Sequence, residues 1–155
     1  MRELTSDIDI DAPPEAVWRV LTDFPAYGEW NPIEIEMKGE PVEGTTLEHT
    51  SRLPGRKPMR FRPTIVEARP REVLGWRGRV VMPGLCDVHH RFAMSPLADG
   101  ATRLRQSEQF RGLLIPFMGG TLRATQEAFG VANAAIKARA ESLWRAEASP
   151  PARGA

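Results

Sequence analysis

The sequence predicts an α+β fold: one strand, two short helices, six further strands in an antiparallel meander, and one long C-terminal helix. Three observations carry this. Apolar residues recur every second position from 33 to about 112, the mark of half-buried strands. After Gly112 the recurrence changes to helical spacing. Proline and glycine punctuate both stretches at short intervals. The chain has 155 residues, the size of about one compact domain; that domain is expected over 1–148, with a disordered tail over 149–155.

Leu4, Ser6, Ile8 and Ile10 share one face of a first strand, with Glu3, Asp7 and Asp9 on the other. Pro13-Pro14-Glu15 suits a helix start, since proline is preset for the first turn and an acid favours its positive end. Val17, Val20, Leu21 and Phe24 give that helix, near 13–23, its apolar stripe; Pro25 and Gly28 break it, and Trp30-Asn31-Pro32 leads out. In the next strand Ile33, Ile35 and Met37 alternate with Glu34, Glu36 and Lys38. Leu47, His49, Ser51 and Leu53 share a face of the one after, and Met59, Phe61, Pro63 and Ile65 of a strand over 57–68, where Pro63 implies an edge or bulge. Leu74, Trp76, Gly78 and Val80, then Val88, His90, Phe92 and Met94, repeat the pattern. Asp99-Gly100 is a hairpin signal before Leu104, Gln106, Glu108 and Phe110. Leu122, Phe129, Ala132, Ile136 and Leu143 mark a helix over about 120–147, roughly 40 Å long and able to cross a curved sheet.

Composition narrows the function classes. No apolar run approaches the ~20 residues of a membrane span, and the polar start MRELTSDIDID is not a signal peptide, so the expected setting is the cytoplasm, without stable membrane insertion. A single cysteine, Cys86, excludes an internal disulfide framework and a cysteine-cluster zinc site. The formal net charge of +1 hides an uneven spread: −9 over residues 1–51, +7 over 52–91 and +3 beyond. In the basic block the arginines alternate with apolar residues, as in Met59-Arg60-Phe61-Arg62 and Trp76-Arg77-Gly78-Arg79. That is the solvent face of strands, and it argues against nucleic acid as partner.

Several local patterns resemble the START-like (SRPBCC) superfamily, in particular its polyketide cyclase/dehydrase and lipid-transport group. They are Ala12-Pro13-Pro14-Glu15-Ala16-Val17-Trp18, Phe24-Pro25-x-Tyr27-x-x-Trp30-Asn31-Pro32, Leu74-x-Trp76-x-Gly78, His90-x-Phe92, Thr102-Arg103-Leu104 and Glu108-x-Phe110-x-Gly112. They run in order over about 3–145. The resemblance implies a helix-grip fold, in which a curved antiparallel sheet of about seven strands grips the long helix around an apolar cavity. It implies a lipid- or polyketide-like ligand there, bound by some members and cyclised or dehydrated by others, with no metal and no nucleotide cofactor.

Strand parity selects the polar residues that would face such a cavity. A hairpin tipped at Asp99-Gly100 with both apolar faces inward pairs Met94 with Leu104, Phe92 with Gln106 and His90 with Glu108, with Cβ atoms ~5 Å apart in such pairs. Burial favours a neutral imidazole and a nearby carboxylate a charged one, so His90 is the candidate general acid/base and Glu108 the group that orients it. The plainer reading has the two satisfying each other. His49 also falls on an inward parity. Trp30, Phe61, Trp76, Phe92, Met94, Phe110 and Phe129 are candidates for an aromatic and apolar wall, and Gln106 and Asn133 for polar contacts. A metal held by His49, His90 and Glu108 is disfavoured because two strands separate their positions. The apolar segment Leu113–Gly120 reads as a gate to the cavity or as a packed loop.

No phosphate-cradling glycine loop and no Gly-x-Ser-x-Gly elbow is present, and parity turns His89 away from Cys86. The expectation is therefore a domain that binds a small hydrophobic or ring-bearing molecule. The alternatives are a cyclase or dehydratase using His90 and Glu108, and a partner-binding module with a vestigial cavity that uses Arg60, Arg62, Arg77 and Arg79.

Overall fold

The structure, a computed structural model, describes residues 1–80 and 82–149. The disorder expected of the tail falls outside the described residues from 150 onward. Among the described residues, eight strands and three α-helices follow in the order β1 (Arg2–Ile10), α1 (Pro14–Thr22), α2 (Tyr27–Trp30), β2 (Glu34–Lys38), β3 (Glu48–Ser51), β4 (Met59–Phe61), β5 (Thr64–Arg69), β6 (Val73–Arg79), β7 (Asp87–Pro96), β8 (Thr102–Arg111) and α3 (Gly119–Ala148). All strand pairs are antiparallel, in a five-stranded sheet ordered β1-β8-β7-β6-β5 and a three-stranded sheet ordered β2-β3-β4. This is the helix-grip arrangement.

The single strand expected over 57–68 is two strands in different sheets. Proline donates no ladder hydrogen bond, and the chain changes sheet between Phe61 and Thr64, across Pro63. A lone Thr46–Thr64 bridge joins the sheets there. Elsewhere parity holds. The β7–β8 hairpin pairs Met94 with Leu104, Phe92 with Gln106 and His90 with Glu108. Because β1 lies beside β8, Asp9 meets Arg103 and Asp7 meets Arg105, each with a 2.8 Å ion pair on the solvent face.

Two regions share the concave face. Beneath α1 and the second half of α3, Ile10, Val17, Leu21, Leu74, Phe92, Met94, Leu104 and Ile136 form a closed core. Beneath the first half of α3 the face stays open. Cys86, Phe110, Ile115 and Leu122 close its far end.

Gly112, where β8 ends, has φ +134°, and a Cβ there would stand 2.3 Å from the Leu85 carbonyl oxygen. Both the conformation and the backbone approach require glycine. Gly112→Ala is expected to cost at least ~2 kcal/mol, a fall of about 4–8 °C in Tm by thermal unfolding.

Candidate functional site

The open half of the concave face is a cavity of about 400 Å³. Its walls come from β2 and β3 on one side, β6, β7 and β8 behind, and the first half of α3 in front. The lining is mostly apolar, with Phe61, Trp76, Phe110, Phe129 and the small Ala128 and Ala132 among its residues.

His90 is the centre of the rear wall. It is buried, with the Trp76 ring stacked 4.9 Å from it at 5°. Phe92 lies against it at 4.8 Å and Phe129 meets it edge-on at 5.7 Å. Three rings thus leave the imidazole one orientation. Its Nδ1 stands 3.5 Å from Glu108 Oε1, and its Nε2 accepts a 3.2 Å hydrogen bond from the Gln106 amide. That amide's own oxygen is buried with no partner. The pairing read from parity is therefore present, with one ring nitrogen toward a carboxylate and the other toward an amide.

A second histidine–carboxylate pair, absent from the expectations, lies beside Trp76. His49 Nε2 is bonded to Glu34, and both side chains are more than nine-tenths buried. The His49 ring meets Trp76 at 6.0 Å and Phe61 at 5.9 Å, so both histidines adjoin one indole. Burial opposes charge on each member of this pair, yet the attraction and hydrogen bond between them win: Glu34 is held below, and His49 above, its ordinary value. Glu34 faces inward because β2 carries a bulge between Glu34 and Glu36, which reverses the alternation locally. Asn31 fixes the entry to that bulge, its Oδ1 accepting the Ile33 and Glu34 N–H groups at 3.0 Å each.

Of the residues expected around the ligand, His49, Phe61, Trp76, Gln106, Phe110 and Phe129 line the cavity together with His90 and Glu108. Four do not. Phe92 and Met94 belong to the closed core, and Trp30 packs against it, because periodicity assigns a face but not a position along it. Asn133 turns toward β1, where its amide donates to Ser6 Oγ at 3.2 Å.

The rim joins the loop after β3, the end of β6 and the start of α3. Arg56, Lys57, Arg79 and Met118 border it. Arg56 reaches across to donate to Thr121 Oγ at 3.1 Å. In the segment 113–120, Leu113 and Phe117 stand 76% and 85% exposed, while Ile115 between them is buried against Cys86, Phe110 and Leu122. Cys86 is buried and its thiol pushed up by that burial, which opposes a nucleophilic role.

A family model described as polyketide cyclase / dehydrase and lipid transport matches residues 1–145. No curated protein matches by sequence. Among solved structures, a START superfamily protein from Mycobacterium smegmatis is similar at 19% identity and TM-score 0.72, covering 91% of this chain and 98% of that one. A protein from Mesorhizobium loti is similar at 17% and 0.72, with the same coverages. The di-domain ARO/CYC protein BexL of the BE-7585A biosynthetic pathway is similar at 17% and 0.66, covering 96% of this chain and 51% of that one.

Proposed function

This chain belongs to the polyketide cyclase/dehydrase and lipid transport family, and on that premise we propose that it binds a small, ring-bearing or otherwise apolar molecule carrying oxygen functions in the cavity beneath α3. The observation that carries this reading is the wall itself. Aromatic faces suit a flat apolar body, while the few polar residues of the lining, His90 and Glu108 among them, give oxygen functions something to bind. A pocket of about 400 Å³ is in the usual range for small ligands.

The test is titration with the neutral fluorophore N-phenyl-1-naphthylamine, with native mass spectrometry of the freshly purified protein. Saturable one-to-one binding is expected. His90→Gln should weaken it by no more than about tenfold, the worth of one neutral hydrogen bond. Absence of saturable binding would overturn the reading.

A second reading, a cyclase or dehydratase, is favoured by one observation: the ring nitrogens of His90 are divided between Glu108 and the cavity wall. Once Nε2 exchanges its Gln106 hydrogen bond for the substrate, it would take a proton from a carbon beside a carbonyl and return it to a departing hydroxyl, with Glu108 steadying the charged ring. On this reading His90→Gln removes turnover of a polyketide-like substrate by at least about a hundredfold and leaves its binding largely intact. Equal losses in both would point to ligand positioning only.

A further inference from the structure

The basic residues divide by place. Among the described residues, ten lysine and arginine side chains form ion pairs with carboxylates, Arg103 and Arg105 among them. None of those ten lines the cavity; of the ten other described basic residues without a carboxylate partner, seven lie elsewhere, and Arg56, Lys57 and Arg79 stand together in the cavity lining. The cavity's two acids do not neutralise them, since Glu34 is bonded to His49 and Glu108 faces His90 on the inner wall. The same rim carries the start of α3, whose first turn has no capping side chain and so adds its positive end to the three cations. Moving inward from this rim, the walls become rings and small apolar residues.

Resting on the ligand-binding reading above, we infer that the ligand is an amphipathic anion: an apolar, ring-bearing body lies against Trp76 and Phe129, and one carboxylate or phosphate-like group at its outer end is held by Arg56, Lys57 and Arg79. Three unpaired cations around a low-dielectric opening concentrate negative ligands there and orient them body-first. Arg56 is steadied for this by its bond to Thr121. The apolar walls alone would not distinguish an acid from its neutral analogue; the rim would.

A matched pair of probes tests it. 1-Anilinonaphthalene-8-sulfonate carries the ring system of N-phenyl-1-naphthylamine plus one anionic group. The anionic probe is expected to bind about tenfold tighter at low salt, with the advantage shrinking as salt rises. Neutralising the rim with Arg56→Gln, Lys57→Gln and Arg79→Gln together should bring the two affinities within about twofold, whereas Arg145→Gln, at the far end of α3, should preserve the gap. Equal affinities in the unaltered protein, or a gap that survives the triple substitution, overturns the anion site and leaves the cavity reading standing. Binding of both probes that is untouched by a cavity plug, Ala128→Phe, or absence of binding by either, overturns the cavity reading and the anion site with it.

Discussion

Glu34→Gln is expected to lower stability by about 3 kcal/mol at pH 5.5, a fall of roughly 6–12 °C in Tm. The substitution keeps the shape and takes away the charge that His49 faces inside the protein. Removing one member of a buried pair strands the other; the loss is set at the lower end because His49 can shed its proton when its partner is gone. The pair also fixes a pH window. Glu34 is held below its ordinary 4.5, so its contribution is present above 4.5 and is lost as pH falls through its depressed value. His49 is held above its ordinary 6.5, so its contribution is complete below 6.5 and is lost as pH rises through its elevated value. The gap between the native protein and Glu34→Gln should therefore be widest between about pH 4.5 and 6.5 and should narrow on both sides. Thermal unfolding from pH 3.5 to 9 measures it, and a gap constant across that range would show that the two groups are not ionised together. Replacing both residues with leucine should recover most of the loss, since the pair's desolvation cost goes with it.

That pair also marks where sequence reading reached its limit. Facing at β7–β8 followed from two things visible in the residues: strict alternation on both strands and an Asp-Gly turn that sets their registration. The pairing of His90 with Glu108 came out of that parity alone, whereas that of Asp7 and Asp9 with Arg105 and Arg103 also needs β1 to lie beside β8. Glu34 was hidden because Ile33, Ile35 and Met37 alternate faultlessly around it, and a bulge is a backbone event with no residue type of its own. A usable signal was nevertheless present. His49 falls on an inward parity, a buried imidazole needs a partner, and the preceding strand, with Glu34 and Glu36, was the neighbour able to supply a carboxylate. Pro63 was read as a defect within a strand when it is the point where the chain passes between sheets.

Phe92 and Met94 show a different limit. Their period places them on the concave face, where they are, but α1 covers one half of that face and leaves the other to the cavity. Which half a residue occupies depends on how a helix forty residues or more away in sequence docks, and alternation within one strand carries no information about that. Trp76, two residues from the core residue Leu74 on the same strand, faces the cavity, and so the boundary falls within β6.

The placement of that boundary decides where a plug belongs, and Ala128→Phe should abolish binding of N-phenyl-1-naphthylamine without unfolding the protein. Ala128 is buried on α3 in a cluster with Ile33 and Ala132 and borders the cavity, whereas enlarging Met94 would overpack a closed core. A phenyl group projecting from Ala128 occupies the space in which the probe's rings would stack. Displacing even ~100 Å² of apolar contact costs about 2.5 kcal/mol, close to a hundredfold in Kd. The same ring fills a void, which stabilises by about 0.5–2 kcal/mol where the fit is strain-free. Binding and Tm should therefore move in opposite directions, and a general loss of structure cannot produce that combination. Ala132→Phe, one helical turn further along the same wall, should repeat the result. If both variants keep full affinity, the probe sits elsewhere, and the charged outer face with Arg60, Arg62 and Arg77 becomes the surface to test by charge reversal against a protein partner. If both lose binding while Tm holds or rises, the space beneath α3 is the ligand site, and the substitutions at His90 and Glu108 then separate holding a ligand from transforming it.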